Sequence, residues 1–201
     1  MEYFLAIDTE TGGLDASQHK LLEIGAFLFD ENGKELDKFH AFLSIYEEPE
    51  KSCTVTALKI NNFLERAHHP DRSNTEIAKI FAAWSIKVCN EYKPTLLGQN
   101  ISFDKTFINT FMTTNGFPGW SDIFSYHMMD TCMLGRILSK CGLLKTERFS
   151  LKNLCDELDI KIEGAHTAMA DARATALVYI KGMRLLKSAV NGSRSASENK
   201  L

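Results

Sequence analysis

Residues 4–13 read FLAIDTETGG, an apolar run that ends in Asp8 and Glu10 with the glycine pair Gly12–Gly13 just behind. Side chains two apart on a strand point to the same face, so this pattern places both carboxylates in one patch. Like charges held that close repel unless something neutralises them. The residues around this stretch decide what it belongs to.

Working outward, KLLEIGAFLFD (residues 20–30) reads as a second strand and LDKFHAFL (36–43) as a third. Asn32–Gly33 between them is a strong hairpin signal, and a type I′ turn with positive φ at both positions is expected. The capping-box pattern Ser73-Asn74-Thr75-Glu76 opens a helix whose core stripe is Ile77, Phe81, Trp84, Val88 and Tyr92. Pro94 ends it. TLLGQN reads as a fourth strand, and a helix over about 101–115 follows until Gly116, Pro118 and Gly119 break it. A short apolar run before Asp130 is the fifth strand. Ser150 is an N-cap for a helix carrying Leu151, Leu154 and Leu158, and the last helix starts near Thr167. Strands first, then strands alternating with helices, give an α/β fold with a mixed sheet. The domain is expected over residues 1–190, with the polar tail 191–201 disordered.

The bulk properties suit one domain. The 201 residues are 44% apolar and 24% charged, with a formal net charge of −3. That charge predicts no strong non-specific grip on nucleic acid, though it leaves room for a local basic groove. No apolar run is long enough to span a bilayer and the start has no basic leader pattern, so a cytoplasmic location without membrane contact is expected. The five cysteines are odd in number and form no CxxC pair, which suits reduced thiols.

Two further acids occupy informative positions. Asp104 in GQNISFDKTFI stands at the start of the helix after strand four, where open α/β sheets collect their functional groups. Asp171 in HTAMADARAT has Ala168, Ala170, Ala172 and Ala174 around it, small residues that let a helix approach a sheet closely. Four converging carboxylates are prohibitive as bare charges. Two Mg²⁺ or Mn²⁺ ions about 4 Å apart would neutralise them and suit an in-line phosphoryl displacement. His166 lies five residues before Asp171, a spacing that puts the two on different faces of an ideal helix. Both can reach one site only if His166 sits in the preceding loop with Thr167 as N-cap; from there an imidazole can take a proton from the attacking water.

Asp8-Thr9-Glu10, then Asn100, Phe103 and Asp104 in NISFD, then His166 and Asp171 in HTAMAD resemble the three motifs of the DEDDh 3′-5′ exonucleases. That family includes the proofreading epsilon subunit of bacterial DNA polymerase III, RNase T and oligoribonuclease. The resemblance covers about residues 3–187. It implies a ribonuclease H-like fold with a five-stranded mixed sheet flanked by helices, two Mg²⁺ or Mn²⁺ ions, and release of 5′-mononucleotides from a 3′ end of single-stranded DNA or RNA. It further implies Asp8, Glu10, Asp104 and Asp171 as metal ligands and His166 as general base. By the same resemblance Thr11, the Gly12 backbone and Leu14 seat the terminal nucleotide. Asn100 and Phe103 join them as candidate substrate contacts, Phe103 being open between base stacking and core, while Phe107 is read as core. A polymerase or repair partner is a further expectation.

Plainer readings compete at several positions. Glu23, inside an apolar strand, is read as structurally paired or at the sheet edge rather than as a fifth ligand. His68, His69 and Asp71 are read as an exposed loop. Lys140, Lys145, Arg148 and Lys152 divide evenly between a solvated face and a patch that guides a strand. Two other functions remain: a phosphatase with Asp8 as covalent nucleophile, and a non-catalytic nucleic-acid or protein-binding module on the same fold.

Overall fold

The computed structural model describes residues 1–48, 50–66, 72–162 and 166–198. In chain order the described elements are β1 (Tyr3–Thr11), β2 (Leu21–Asp30), β3 (Glu35–Phe42), α1 (Val55–Ile60), α2 (Phe63–Arg66) and α3 (Asn74–Tyr92). They continue as β4 (Thr95–Gly98), α4 (Ile101–Thr114), α5 (Trp120–Ile123), β5 (Met128–Asp130), α6 (Thr131–Lys140), α7 (Leu151–Glu157) and α8 (Ala168–Glu198). The sheet runs β3-β2-β1-β4-β5. β1 pairs antiparallel with β2 and parallel with β4, so the sheet is mixed, as the sequence pattern implies.

Alternation along β1 sorts the molecule into layers. Phe4 and Ala6 face α6, α7 and α8, in a core with Phe29, Leu97, Leu134, Leu154 and Ala172. Leu5 and Ile7 face α3 and α4, in a second core with Phe81, Val88, Phe107, Phe111 and Trp120. Each of the Leu, Ile, Val and Phe side chains among them, once buried, contributes about 1.5–3 kcal/mol of apolar transfer free energy. β2 is buried along its whole length because helices cover both of its faces.

Local signals set most boundaries. Ser73 and Glu76 form the reciprocal capping box that starts α3, and Lys93 closes that helix in the left-handed region ahead of Pro94. The hairpin between β2 and β3 is present with a different turn from the one expected. Only Gly33 there has positive φ, at +90°. The Gly33 N–H donates to the Asp30 carbonyl, and the Asp30 carboxylate accepts from the N–H groups of Asn32 and Lys34. That is a type I turn closed by a left-handed glycine, and the acceptor at Asp30 favours it over type I′.

Two other differences stand out. α6 is not anticipated from the sequence: Met133 and Ile137 on its outer side are exposed, which blurs the stripe of buried Leu134 and Leu138. α8 continues to Glu198, so residues 191–198 are helical where a disordered tail was expected. Gly192 is the weakest helix former there, and its cost of about 1 kcal/mol relative to Ala does not break the backbone ladder. The His68, His69 and Asp71 reading lies outside the described residues.

Candidate active site

The site assembles at the carboxyl end of β1. Asp8 stands opposite Gly25 of β2 and Glu10 opposite Glu23, so both acids project toward the face that α8 covers. Gly25 is what lets α8 come in. A Cβ there would lie 2.3 Å from the Ala168 carbonyl carbon and 2.4 Å from Met169 N, well inside contact distance. The helix therefore starts directly on the sheet beside Asp8. Thr167 is its N-cap: its hydroxyl accepts from Ala170 N–H at 3.2 Å and its carbonyl from Asp171 N–H at 2.9 Å. The buried Ala168 and Ala172 keep the approach close.

This packing gathers three acids. One carboxylate oxygen from each of Asp8, Glu10 and Asp171 lies within 4.8 Å of the other two. Asp104 comes from the opposite layer, in the first turn of α4, and is almost fully buried. It acts on Asp8 through space. Burial, and then the charges of Asp104, Asp171, Glu10 and Glu23, hold the Asp8 carboxyl well above the usual carboxylate range. Burial also pushes the Asp104 carboxyl up to about 7, against the opposing pull of the Thr9 hydrogen bond, with a further rise from the charge of Asp130. Clustered hard oxygens under this electrostatic load suit a divalent cation, so the residues present fit such an ion. The four acids expected from the sequence thus stand as a tight trio with Asp104 electrostatically joined to it.

His166 is exposed and sits just before α8, as the spacing argument requires, with φ at +64°. A positive φ is uncommon for a residue other than glycine, and histidine is among those that adopt it. His166 and Asp171 share a cavity of about 600 Å³ with Leu151, Cys155, Ile160 and Ile162.

The candidate substrate contacts fare differently. Leu14 is an apolar side chain left 87% exposed. The Thr11 hydroxyl donates to the Gly13 carbonyl at 2.7 Å. The Gly12 backbone, expected to contact a nucleotide, is already engaged: its N–H donates to the Lys20 carbonyl and its carbonyl accepts from Thr54 N–H. Glycine is required at 12 because a Cβ would meet Cys53 Sγ at 2.7 Å. Asn100 is exposed with φ at +63°, a conformation asparagine tolerates, so backbone geometry alone explains that residue type. Phe103 is half-buried with its ring 4.9 Å from that of Phe107, and Phe107 is buried in the core as read from the sequence.

Glu23 is fully buried and its Oε1 lies 2.8 Å from His40 Nε2, the paired arrangement expected of it. Of the basic cluster, Lys152 is bridged to Asp156 at 2.6 Å. Thr9, Gly25, His40 and Asp130 were not singled out for the site. Gly25 alone carried a readable signal, a lone glycine inside an apolar strand run.

A five-stranded mixed sheet flanked by helices, with acids of its first strand and last helix gathered at one end, is the ribonuclease H-like exonuclease fold. The family model for RNase T, described as Exonuclease, matches residues 5–179, and the chain belongs to that family. DNA polymerase III PolC-type of Halalkalibacterium halodurans is 28% identical over 172 residues, covering 86% of this chain and 11% of the relative. Among solved structures, exonuclease I superposes with a TM-score of 0.75 at 18% identity, over 95% of this chain and 44% of the other. E. coli exonuclease I in complex with a dT13 oligonucleotide gives 0.73 at 18% identity, over 94% and 43%. The chain therefore spans about a tenth of the PolC-type relative and under half of exonuclease I.

Proposed function

We propose that this nuclease is a 3′-5′ exonuclease that hydrolyses single-stranded DNA or RNA from a free 3′ end and releases 5′-mononucleotides. The observation that carries the reading is the convergence of Asp8, Glu10 and Asp171 from β1 and α8 to within 4.8 Å of one another. In this reading Asp8, Glu10, Asp104 and Asp171 hold two Mg²⁺ or Mn²⁺ ions. When bound, such ions polarise the phosphodiester, activate water and stabilise the leaving oxygen. His166 is the general base; in support, it lines a cavity together with Asp171. Leu14, Thr11, Asn100 and Phe103 serve as substrate contacts together with the Gly12 backbone, whose N–H and carbonyl also bond to Lys20 and Thr54.

The dT13 complex of the fold neighbour makes single-stranded DNA the first substrate to try. The DNA polymerase III name of the PolC-type relatives supports a setting beside a polymerase. Within this proposal the role there is proofreading, with repair as the other setting, in the cytoplasm. Among the described residues no helix is long and apolar enough to cross a membrane.

The test incubates 5′-labelled single-stranded DNA and RNA of one sequence with the protein in Mg²⁺, Mn²⁺ or EDTA, with Asp8→Ala alongside. A ladder shortening from the 3′ end, dependent on metal and lost in Asp8→Ala, is expected. Intact oligonucleotides in every lane, or full turnover by Asp8→Ala, would overturn the reading.

A further inference from the structure

The middle residue of Asp8-Thr9-Glu10 points the other way from its neighbours. Asp8 and Glu10 face α8, whereas Thr9 faces the layer that contains α4. There the buried Thr9 hydroxyl donates to Asp104 Oδ1 at 2.7 Å, across 95 residues of sequence. Asp104 must serve a site on the far side of the sheet from its own helix, so its carboxylate has to be held at the sheet's end rather than left to its rotamers. A charge-assisted bond of this length is among the stronger and more directional ones a protein makes.

We propose that Thr9 is a positioning residue for the metal site: its hydroxyl fixes the Asp104 carboxylate so that β1 sets three ligands at once, two through its own side chains and the third through Thr9. The inference rests on the metal reading of the acidic site given above. It makes the identity of the residue between the two acids of this motif a determinant of metal affinity, although that residue touches neither metal nor substrate. Groups that orient metal ligands in this way change affinity about 10–100-fold when removed.

The experiment measures Mn²⁺ binding calorimetrically on the full chain for wild type, Thr9→Val and Thr9→Ser. The unfolding midpoint of each is taken in EDTA. Thr9→Val replaces the hydroxyl by a methyl of similar size, and Thr9→Ser keeps the donor. Expected is a loss of Mn²⁺ affinity of about tenfold or more in Thr9→Val, with Thr9→Ser within about twofold of wild type. In the Asp104→Ala background, Thr9→Val should cost no further Mn²⁺ affinity, because the group it positions is gone. Thr9→Ala replaces the valine variant if that one does not fold. A Thr9→Val protein that binds Mn²⁺ as tightly as wild type overturns the role of Thr9 and leaves the metal reading standing. A lowered midpoint in EDTA with unchanged Mn²⁺ affinity overturns it in the same way, since that is the signature of a purely structural hydroxyl. Wild type that binds no Mn²⁺ overturns both.

Discussion

Asp104→Asn removes a buried charge while keeping the shape of the side chain and an oxygen to accept from Thr9. In the metal-free protein this should stabilise the fold at neutral and alkaline pH. The rise of the Asp104 carboxyl from 3.8 to about 7 corresponds to about 4 kcal/mol at 1.36 kcal/mol per pH unit. Relaxation around the charge lowers this, so about 2–4 kcal/mol is expected. The sign follows from linkage. Between pH 3.8 and about 7 the folded protein holds a proton on Asp104 that the unfolded chain has released, so wild-type stability falls as pH rises through that window. Below it both states are protonated and the two proteins should be alike. Relief of Asp8, whose carboxyl is itself held high partly by Asp104, adds in the same direction. The assay is urea unfolding in EDTA at pH 4, 6 and 8 for both proteins, read by circular dichroism and intrinsic fluorescence. Added Mn²⁺ should then shrink or reverse the advantage of Asp104→Asn, because an ion that binds only the folded state stabilises the protein with the better site. A variant no more stable than wild type at pH 8, or one whose gain is the same at pH 4 and pH 8, would refute the view that Asp104 is an electrostatic load awaiting a cation.

Gly25→Ala should push the start of α8 off the sheet, since its Cβ would lie 2.3 Å from the Ala168 carbonyl carbon. A cost of about 1–3 kcal/mol in unfolding free energy and a loss of nuclease turnover are expected, and normal turnover would show that the helix contact does not place Asp171. His166→Ala should slow cleavage by about two to four orders of magnitude while oligonucleotide affinity, measured by fluorescence anisotropy, is retained. Undiminished turnover there would remove His166 as the base.

Much of this molecule is local in origin. The apolar run ending in Asp8 and Glu10, the capping box at Ser73, the Asn32–Gly33 hairpin and the Ser150 cap are each decided by neighbours a few residues apart. The order of the three acidic motifs is likewise written along the chain, and the family match over residues 5–179 agrees with it. Even the place of His166 before α8 follows from helical spacing, because a helix permits only certain separations on one face. Other features had no local signature. α6 is hidden because its outer face carries Met133 and Ile137 beside buried Leu134 and Leu138, and only packing tells the two sides apart. The Gly12 backbone bonds to Lys20 and Thr54, partners that the fold and not the local sequence brings to it.

The site itself divides the same way. The chain by itself determines which acids exist and which element carries each, since composition and periodicity act over short range. Tertiary structure alone decides that Asp171 meets Asp8 and Glu10, because that depends on Gly25 admitting α8 to the sheet. It alone decides that Asp104 is held from the opposite layer by Thr9, because a hydrogen bond spanning 95 residues leaves no trace in any window of sequence.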